Sequence, residues 1–269
     1  MKIIFLGTGD ASTTKNFNSC FLLTENNEYF LIDTGGGNGI LTALKKVNVN
    51  IFDIHDIFIS HIHIDHFLGI IWIIRRYATY FYKNPEANNL KIYGNDIVIK
   101  TIKEMIKLLI PSDFKPSLKA KIKYIKLKNY DTYNIINKSF TFFDLNAYKE
   151  KQFGFKLADN YLSFIGDECC TSSTKKVICD SKYLIADAYM HGQRAKKYDP
   201  ITKHHHSSVE YTAKVAESCH IKNLILTHIS DYKTQNRKKD FINDAQNYFT
   251  GTVIVPYDLE ITELEMCNE

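Results

Sequence analysis

The segment FISHIHIDHFLG, at 58–69, concentrates side chains that bind metal ions. His61, His63, Asp65 and His66 fall within six residues, directly after an apolar run. Imidazole and carboxylate are the ligands that zinc, manganese and iron take from proteins. The rings of a His-x-His pair can converge on one ion, and Asp65 and His66 are placed to face a second. This spacing predicts a short loop that supplies ligands to two ions, and such a pair can clamp the oxygens of a phosphodiester displacement.

Two later segments have the form of strand ends that carry a ligand. YLSFIGDECC places Asp167 after a predicted strand, and NLILTHIS places His228 after another. Strand ends are where α/β folds present functional side chains. Each segment alone is a weak signal, because a single Asp or His after a strand is more often a turn or capping residue.

Strands and helices alternate along both halves of the chain. The opening predicts strands at KIIFLG, CFLLTE and EYFLIDTG, and GIIWIIRRYATYFY predicts a helix that is buried on most sides, with Trp72 in the core. The second half repeats the alternation, from KIKYIKL to TVIVPYD. This pattern predicts an α/β fold of the αββα sandwich type, with two mixed β-sheets face to face and helices outside. No linker or composition shift divides the chain, so we expect a single domain over 1–269.

The composition is that of an ordinary globular protein: 45% hydrophobic residues, 24% charged residues and a net charge of +4. No apolar run approaches the roughly 18 residues that span a bilayer, so we expect no membrane partner. The charge is too small to indicate nucleic-acid binding by itself. The six cysteines are scattered in a chain too long to need disulfides, so we expect reduced thiols and a cytoplasmic protein.

Five motifs together resemble the metallo-β-lactamase superfamily, and within it the RNase Z-like phosphodiesterase branch. FLGTGDA, LIDTGGG, SHIHIDH, IGDE and LTHIS occur in the order of that superfamily. The resemblance implies the metallo-β-lactamase fold and a metal-dependent hydrolase. It also implies the ligand set: His61 and His63 for a first ion, Asp65, His66 and His228 for a second, and Asp167 bridging both. Asp33, in LIDTGGG, matches an aspartate that braces the histidine loop from behind.

The segment KHHHSSVEYTAKVA resembles the family's His-Ser-Thr segment, with His206 as the matching histidine. The residues themselves predict a helix N-terminus here, which favours a nearby phosphate. The resemblance implies that His206 donates a proton to the leaving group and that Asp187, in YLIADAYM, orients it. Asp65, His206 and Asp187 are therefore the residues predicted to act in catalysis.

The chain departs from the family in two places. The region between the first motif and Asp167 lacks the histidine that completes the first metal site, and Asn146 is the closest replacement, with Tyr148 second. An amide oxygen is a weak ligand for such ions, so we expect the first site to bind its ion weakly and the second site to bind its ion tightly. Zinc is the expected metal, with manganese or iron as alternatives. Only 20 residues separate Asn146 from Asp167, which leaves no room for the arm that grips transfer RNA in RNase Z.

These observations predict a hydrolase of phosphodiester bonds that does not process transfer RNA specifically, although other nucleic acids stay open as substrates. One alternative is a lactonase or another hydrolase of small esters, since the same fold hosts several chemistries. Another is a member that binds metal or nucleic acid and has lost catalysis, which the absent histidine would explain. By analogy with the family we also expect a homodimer.

Overall fold

The computed structural model describes residues 1–192, 206–231 and 236–265. The chain folds into two compact units. Unit 1 comprises Met1–Gly7, Phe17–Leu127 and the described part of Asp258–Glu269, and unit 2 comprises Thr8–Asn16 and the described part of Lys128–Tyr257. Each unit contains one seven-stranded sheet. The expectation of a single domain stays a prediction.

Unit 1 contributes seven strands and five α-helices in its described part. They are β1 (Lys2–Gly7), β2 (Cys20–Glu25), β3 (Glu28–Ile32), α1 (Gly39–Lys46), β4 (Ile54–Phe58), α2 (Ile64–Phe67), α3 (Gly69–Lys83), β5 (Leu90–Gly94), α4 (Asp96–Leu109), α5 (Lys115–Lys121), β6 (Ile122–Lys126) and β14 (Ile261–Glu263).

The described part of unit 2 contributes the other seven strands and three α-helices. They are β7 (Thr132–Ile135), β8 (Lys138–Asp144), β9 (Phe153–Leu157), β10 (Leu162–Phe164), α6 (Ser172–Ile178), β11 (Tyr183–Asp187), α7 (Val209–Ser218), β12 (Asn223–Thr227), α8 (Arg237–Gln246) and β13 (Thr252–Ile254).

The unit 1 sheet is mixed, in the order β14-β1-β2-β3-β4-β5-β6. β14, β1, β2 and β3 pair antiparallel, whereas β3, β4, β5 and β6 pair parallel. The β2–β3 hairpin turns at Asn26 and Asn27, whose positive φ values of 51° and 63° are those that a tight hairpin turn requires. In the parallel part, Ile32 lies opposite Phe58, so β3 and β4 end at the same edge. The histidine loop follows β4 at that edge.

Helix α3 packs one face on the unit 1 core. Ile70, Ile73, Ile74 and Tyr77 are fully buried and recur at the spacing of one helical face. Trp72 lies on the other face with 45% of its surface exposed. The helix itself is confirmed, but the prediction that Trp72 belongs to the core is wrong, because its position in the helical period points away from the apolar stripe.

The unit 2 sheet is also mixed, in the order β13-β12-β11-β10-β9-β8-β7. β10 to β13 pair parallel, and β7 to β10 pair antiparallel. Helix α7 begins where the sequence predicts, because the Ser208 side chain accepts a hydrogen bond from the Tyr211 N–H at 3.1 Å. The two mixed sheets of the α/β prediction are confirmed.

The structure joins Cys179 and Cys219 by a disulfide. These residues follow the C-terminal ends of α6 and α7. The prediction that every cysteine is a reduced thiol is therefore wrong for this pair, whereas Cys20, Cys169 and Cys170 are free thiols. The two partners are 40 residues apart in the sequence, so only the packing of the two helices brings them together.

Among the helices in the described ranges, none has both the length and the apolar character that crossing a membrane requires.

Candidate metal centre

The predicted site residues of unit 1 follow the carboxyl ends of two neighbouring parallel strands. Asp33 comes directly after β3, and its N–H donates to the Phe58 carbonyl at 2.8 Å. The histidine loop begins after β4, so the two segments leave the sheet side by side. Asp33 itself has a φ of 54°, in the left-handed region that Asp tolerates better than most residues. The sheet register thus brings Asp33 to the histidine loop across 27 residues of sequence.

Ser60 connects Asp33 to His61. The Ser60 hydroxyl lies 2.8 Å from Asp33 Oδ2 and 2.9 Å from His61 Nδ1. A carboxylate only accepts, so the hydroxyl donates to Asp33 and must accept the proton of His61 Nδ1. This assignment leaves Nε2 of His61 without a proton, which is the form that binds a metal ion.

Asp33 fixes His66 in the same way. Its Oδ2 lies 2.8 Å from His66 Nδ1, so the ring donates there and also presents Nε2. His66 Nε2 is 3.5 Å from Asp65 Oδ2, and both side chains are buried. A lone pair facing a buried carboxylate requires a cation between or beside them, either a proton or a metal ion. The donor set therefore fits a metal ion.

His63 completes the loop cluster. Its ring centroid is 4.4 Å from that of His61, and the ring of His66 is 4.4 Å from His61 on another side. All four predicted ligands of the loop, together with Asp33, thus form one cluster in unit 1. Their nitrogen and carboxylate donors are those preferred by zinc and by similar ions.

The glycine-rich segment after Asp33 supports this loop through its backbone. The Thr34 N–H donates to the His66 carbonyl at 2.8 Å, and the Gly69 N–H donates to the Gly35 carbonyl at 2.8 Å. A Cβ at Gly69 would lie directly against the Thr34 carbonyl oxygen. Glycine at this position is therefore needed for the start of α3 to approach the Asp33 segment so closely.

Unit 2 gathers a second cluster at the ends of its parallel strands. Asp167 Oδ2 lies 3.8 Å from His206 Nδ1 and 3.9 Å from His228 Nε2. One ligand atom from each of these three residues lies within 4.8 Å of the others, an arrangement that could hold an ion. The rings of His206 and His228 stack at 4.9 Å.

Asp187 also supports His228, a role that no sequence pattern indicates. Its Oδ1 lies 3.1 Å from His228 Nδ1, so it fixes His228 as Asp33 fixes His66 and leaves Nε2 facing Asp167. The pairing follows from sheet register, since Asp187 lies opposite Thr227 in the parallel β11–β12 pair. Asp187 Oδ2 accepts the Ser207 N–H at 2.6 Å and lies 3.6 Å from His206 Nδ1. One buried carboxylate therefore positions both histidines.

His206 carries a positive charge more readily than an ordinary histidine. Burial opposes the charge, but the carboxylates of Asp187 and Asp167 outweigh it and raise the pKa of His206. The ring is partly exposed, with 23% of its side-chain surface accessible, and it contacts the tilted ring of Tyr189, with the two centroids 4.7 Å apart. This group can hold and release a proton at a partly open position.

Three residues beside Asp167 have perturbed acidities that the sequence did not signal. Burial, with the nearby charge of Asp167, raises the pKa of Glu168 to about 7. Burial also raises the pKa of Cys169 to about 12 and that of Cys170 to about 12, so both remain thiols. The motif IGDE contains Glu168 but does not indicate its raised pKa, because the burial of this side chain depends on the packing of the turn after β10.

Asn146 follows β8 and is exposed, with a φ of 53°. Its N–H donates to Asp144 Oδ1 at 2.8 Å, and its side-chain amide donates to Ser173 Oγ at 3.3 Å. Tyr148 is 84% exposed. The role of Asn146 as a metal ligand stays a prediction. His204 and His205, which precede His206, lie outside the described residues.

Residues 1–248 match the sequence profile of the family described as Anti-Pycsar protein Apyc1. The chain belongs to this family. A ribonuclease Z from Listeria monocytogenes is 24% identical to it over 315 aligned positions, which cover 98% of this chain and 99% of the relative. That alignment is longer than the 269 residues here, so the ribonuclease Z contains residues that this chain lacks.

Solved structures establish the fold of this family member. The metallo-β-lactamase fold protein YhfI from Bacillus subtilis matches with a TM-score of 0.78 at 16% identity, over 97% of this chain and 98% of that one. The short form of human tRNase Z matches with a TM-score of 0.72 at 23% identity, over 99% of this chain and all of the other. The metallo-β-lactamase fold is confirmed, and the ribonuclease Z relative that aligns with almost the whole chain bears out the RNase Z-like resemblance.

Proposed function

We propose that this protein is a metal-dependent hydrolase that cleaves phosphodiester bonds. The observation that carries the proposal is the position of His206, which is partly exposed and lies beside Asp187 in the same cluster as Asp167 and His228. Its pKa is raised by the neighbouring carboxylates, so it can act as an acid. An acid group beside a metal-binding cluster is what cleavage of a poor leaving group requires. The likeness to ribonuclease Z over almost the whole chain supports a phosphodiester rather than another ester.

We propose that the ligands of the two clusters serve the same ions. Neither cluster alone supplies a full set for two ions, and the family resemblance assigns the residues of both to one centre. The proposed ligands are His61, His63, Asp65, His66, Asp167 and His228. Zinc is the first choice, with manganese or iron as alternatives, and one or two ions bind. When bound, such ions activate water as the nucleophile and polarise the phosphoryl oxygens.

The residues of the chain then have separate tasks. Asp33 and Asp187 hold His66 and His228 in the tautomer that presents Nε2. His206 donates its proton to the leaving oxygen, and Asp187 orients that ring and favours its charged form. Asp65 would contribute to catalysis as a ligand of the ion that activates water.

We propose that the first metal site is weak. Asn146 stands where the family places a histidine, and its amide already bonds to Ser173 on an exposed turn. This observation also favours the alternative function, a member that binds metal without turnover. The metal content of the purified protein distinguishes a weak first site from an enzyme with two filled sites. We expect one ion per chain at low zinc, and the Asn146→His variant should bind a second.

The proposed substrate is a phosphodiester other than the transfer RNA that RNase Z processes, since the chain lacks room for the gripping arm. Nucleic acid and small diesters both remain within the proposal. A cytoplasmic location and a homodimer are further proposals, the second by analogy only. Light scattering of the purified protein tests the dimer, and an eluted mass of one chain contradicts it.

The decisive experiment measures hydrolysis of bis(p-nitrophenyl)phosphate and of a lactone panel, with added Zn²⁺ or Mn²⁺. Phosphodiester turnover that depends on metal supports the proposal. The His206→Ala variant should lower kcat by about 100- to 10,000-fold, the usual contribution of a positioned acid, without loss of bound metal. His220→Ala is the matched control, because His220 is exposed in the same unit and pairs only with Asp180 among the described residues.

Other outcomes contradict the proposal in distinct ways. Lactone turnover without phosphodiester turnover under any metal condition assigns the protein to the small-ester hydrolases. Metal binding with neither activity, together with activity created by Asn146→His, assigns it to the impaired members. Activity that is equal in His206→Ala and His220→Ala removes His206 from the mechanism.

A further inference from the structure

Unit 1 carries a groove of about 530 Å³ along the outer face of α3. Leu41, Phe52 and Tyr80 form its apolar floor, and the half-exposed Trp72 lines it as well. None of these residues belongs to the histidine loop or to its supports. The volume lies in the range of pockets that bind small organic molecules.

Three cations line the same groove, namely Arg75, Arg76 and Lys83, and none of the described residues that line it is acidic. Within the described ranges, no carboxylate comes close enough to any of the three to form an ion pair. Positive charge therefore accumulates along this face. An anion that enters the groove gains charge-assisted hydrogen bonds without displacing a protein carboxylate.

The two guanidinium groups are held in place. Arg75 Nη1 donates to Thr79 Oγ1 at 2.6 Å, and its guanidinium carbon lies 4.9 Å from the Phe114 ring centroid. The guanidinium carbon of Arg76 lies 5.8 Å from the Phe52 ring centroid. These contacts restrict both side chains, so less side-chain entropy is lost when an anion binds.

The aromatic rings offer a surface for a flat ligand. Phe52 and Tyr80 already stack on each other at 4.1 Å, with planes 13° apart. Trp72 makes no such stack with the part of the chain that the structure describes, and it keeps 45% of its surface exposed. An exposed indole beside arginines is the arrangement that stacks nucleobases in proteins that bind single strands.

We propose that this groove binds a mononucleotide, with the base against Trp72 and the phosphate on Arg75, Arg76 or Lys83. The proposal is independent of the function proposed for the metal centre. A second copy of this chain fits the groove poorly, because a symmetric contact would place like charges opposite each other. An acidic protein segment is the other class of occupant with the right charge, and the experiment below distinguishes it.

Trp72 is the only tryptophan of the chain, so its fluorescence reports on the groove directly. The protein is titrated with adenosine 5′-monophosphate, which contains no phosphodiester bond, and separately with adenosine and with inorganic phosphate. Excitation at the red edge of the indole band avoids absorption by the base. We expect a saturable change of the Trp72 fluorescence with the nucleotide. Adenosine alone and inorganic phosphate alone should each bind more weakly by about ten-fold or more, because each lacks one class of contact.

Arg76→Gln should weaken nucleotide binding by about ten-fold, the effect of one lost charge-assisted hydrogen bond. Lys123→Gln is the matched control, since it removes the same charge from an exposed position on β6 that does not line the groove. Trp72→Phe, followed by calorimetry, should bind more weakly than the natural protein while keeping its circular dichroism spectrum. All three substituted side chains are exposed, so the fold should be retained.

Three results would overturn the proposal. The first is no saturable change with the nucleotide up to the millimolar range. The second is equal nucleotide affinity in Arg76→Gln and Lys123→Gln. The third is a response to a poly-glutamate peptide without a response to the nucleotide, which would assign the groove to an acidic protein partner.

Discussion

The hydrogen bonds of Asp33 predict a specific defect in the Asp33→Asn variant. The carboxylate is 1% exposed and accepts from the Ser60 N–H at 2.8 Å, from the Ser60 hydroxyl and from His66 Nδ1 at 2.8 Å. An asparagine keeps one acceptor for the Ser60 N–H but turns the other oxygen into a donor. It also tolerates the φ of 54° at this position, so backbone strain does not change. The substitution therefore changes the hydrogen bonds and removes the buried charge without straining the backbone.

The expected losses of metal affinity and of stability follow from these hydrogen bonds. The new amide donates to His66 Nδ1, which drives the ring proton to Nε2, the atom that should bind metal. Loss of a partner that fixes a ligand typically costs 10- to 100-fold in metal affinity, about 1.4–2.7 kcal/mol. The Ser60 hydroxyl loses its 2.8 Å acceptor Oδ2 but keeps an acceptor at the Oδ1 position, 3.0 Å away, so the lost hydrogen bond costs about 0.5–1.5 kcal/mol of unfolding free energy. Competition with a chromogenic chelator measures the affinity, and urea unfolding of the metal-free protein measures the stability.

Asp113→Asn is the matched control, because it makes the same change at an exposed position of unit 1. It should leave both measurements unchanged. The reasoning is refuted if Asp33→Asn loses stability but binds Zn²⁺ and Mn²⁺ as tightly as the natural protein. Asp33 would then support the fold without setting the tautomer of His66.

Three further predictions concern backbone packing, pH and thiol reactivity. Gly69→Ala should destabilise the protein by about 1–3 kcal/mol in urea unfolding, because the new Cβ would press on a neighbouring carbonyl oxygen, whereas Gly37→Ala, with open space around its Cβ, should be nearly neutral. Burial opposes ionisation of Asp231, but hydrogen bonds from the segment 13–16 outweigh it and lower its pKa below 3.8. Its contribution to stability is therefore present at neutral pH and lost as the pH falls through the folded pKa, so the difference between the natural protein and Asp231→Asn should shrink in acid. Since burial raises the pKa of Cys169 to about 12 and that of Cys170 to about 12, iodoacetamide at mildly alkaline pH should modify neither until the protein unfolds.

A specific result would contradict each of these three predictions. Equal destabilisation by the two glycine substitutions would show that the close approach of α3 is not what requires glycine. A stability difference for Asp231→Asn that stays constant from neutral to acidic pH would exclude the proposed hydrogen-bonded carboxylate. Rapid alkylation of either thiol in the folded protein, followed by peptide mass spectrometry, would contradict their burial.

The sequence by itself was enough to predict many of the strands and helices and the metallo-β-lactamase fold, but not the Apyc1 family. Apolar alternation and helical periodicity are local, so the strand before the histidine loop and the start of α7 at Ser208 could be predicted from neighbouring residues. The histidine loop, Asp167 and His228 were marked by motif and by their positions after strands. Asp33 was found through the resemblance, and the structure supplies its hydrogen bonds with Ser60 and His66.

Only the tertiary structure decided which groups face each other. Strand register sets Asp187 against His228, and no spacing in the sequence encodes that register. The angular position on α3 put Trp72 outside the core, and the packing of a turn buried Glu168 and raised its pKa. Such outcomes depend on interactions between segments that are far apart in the chain. Local patterns therefore predict the ligands, whereas their protonation and their supports follow from how the strands and helices pack.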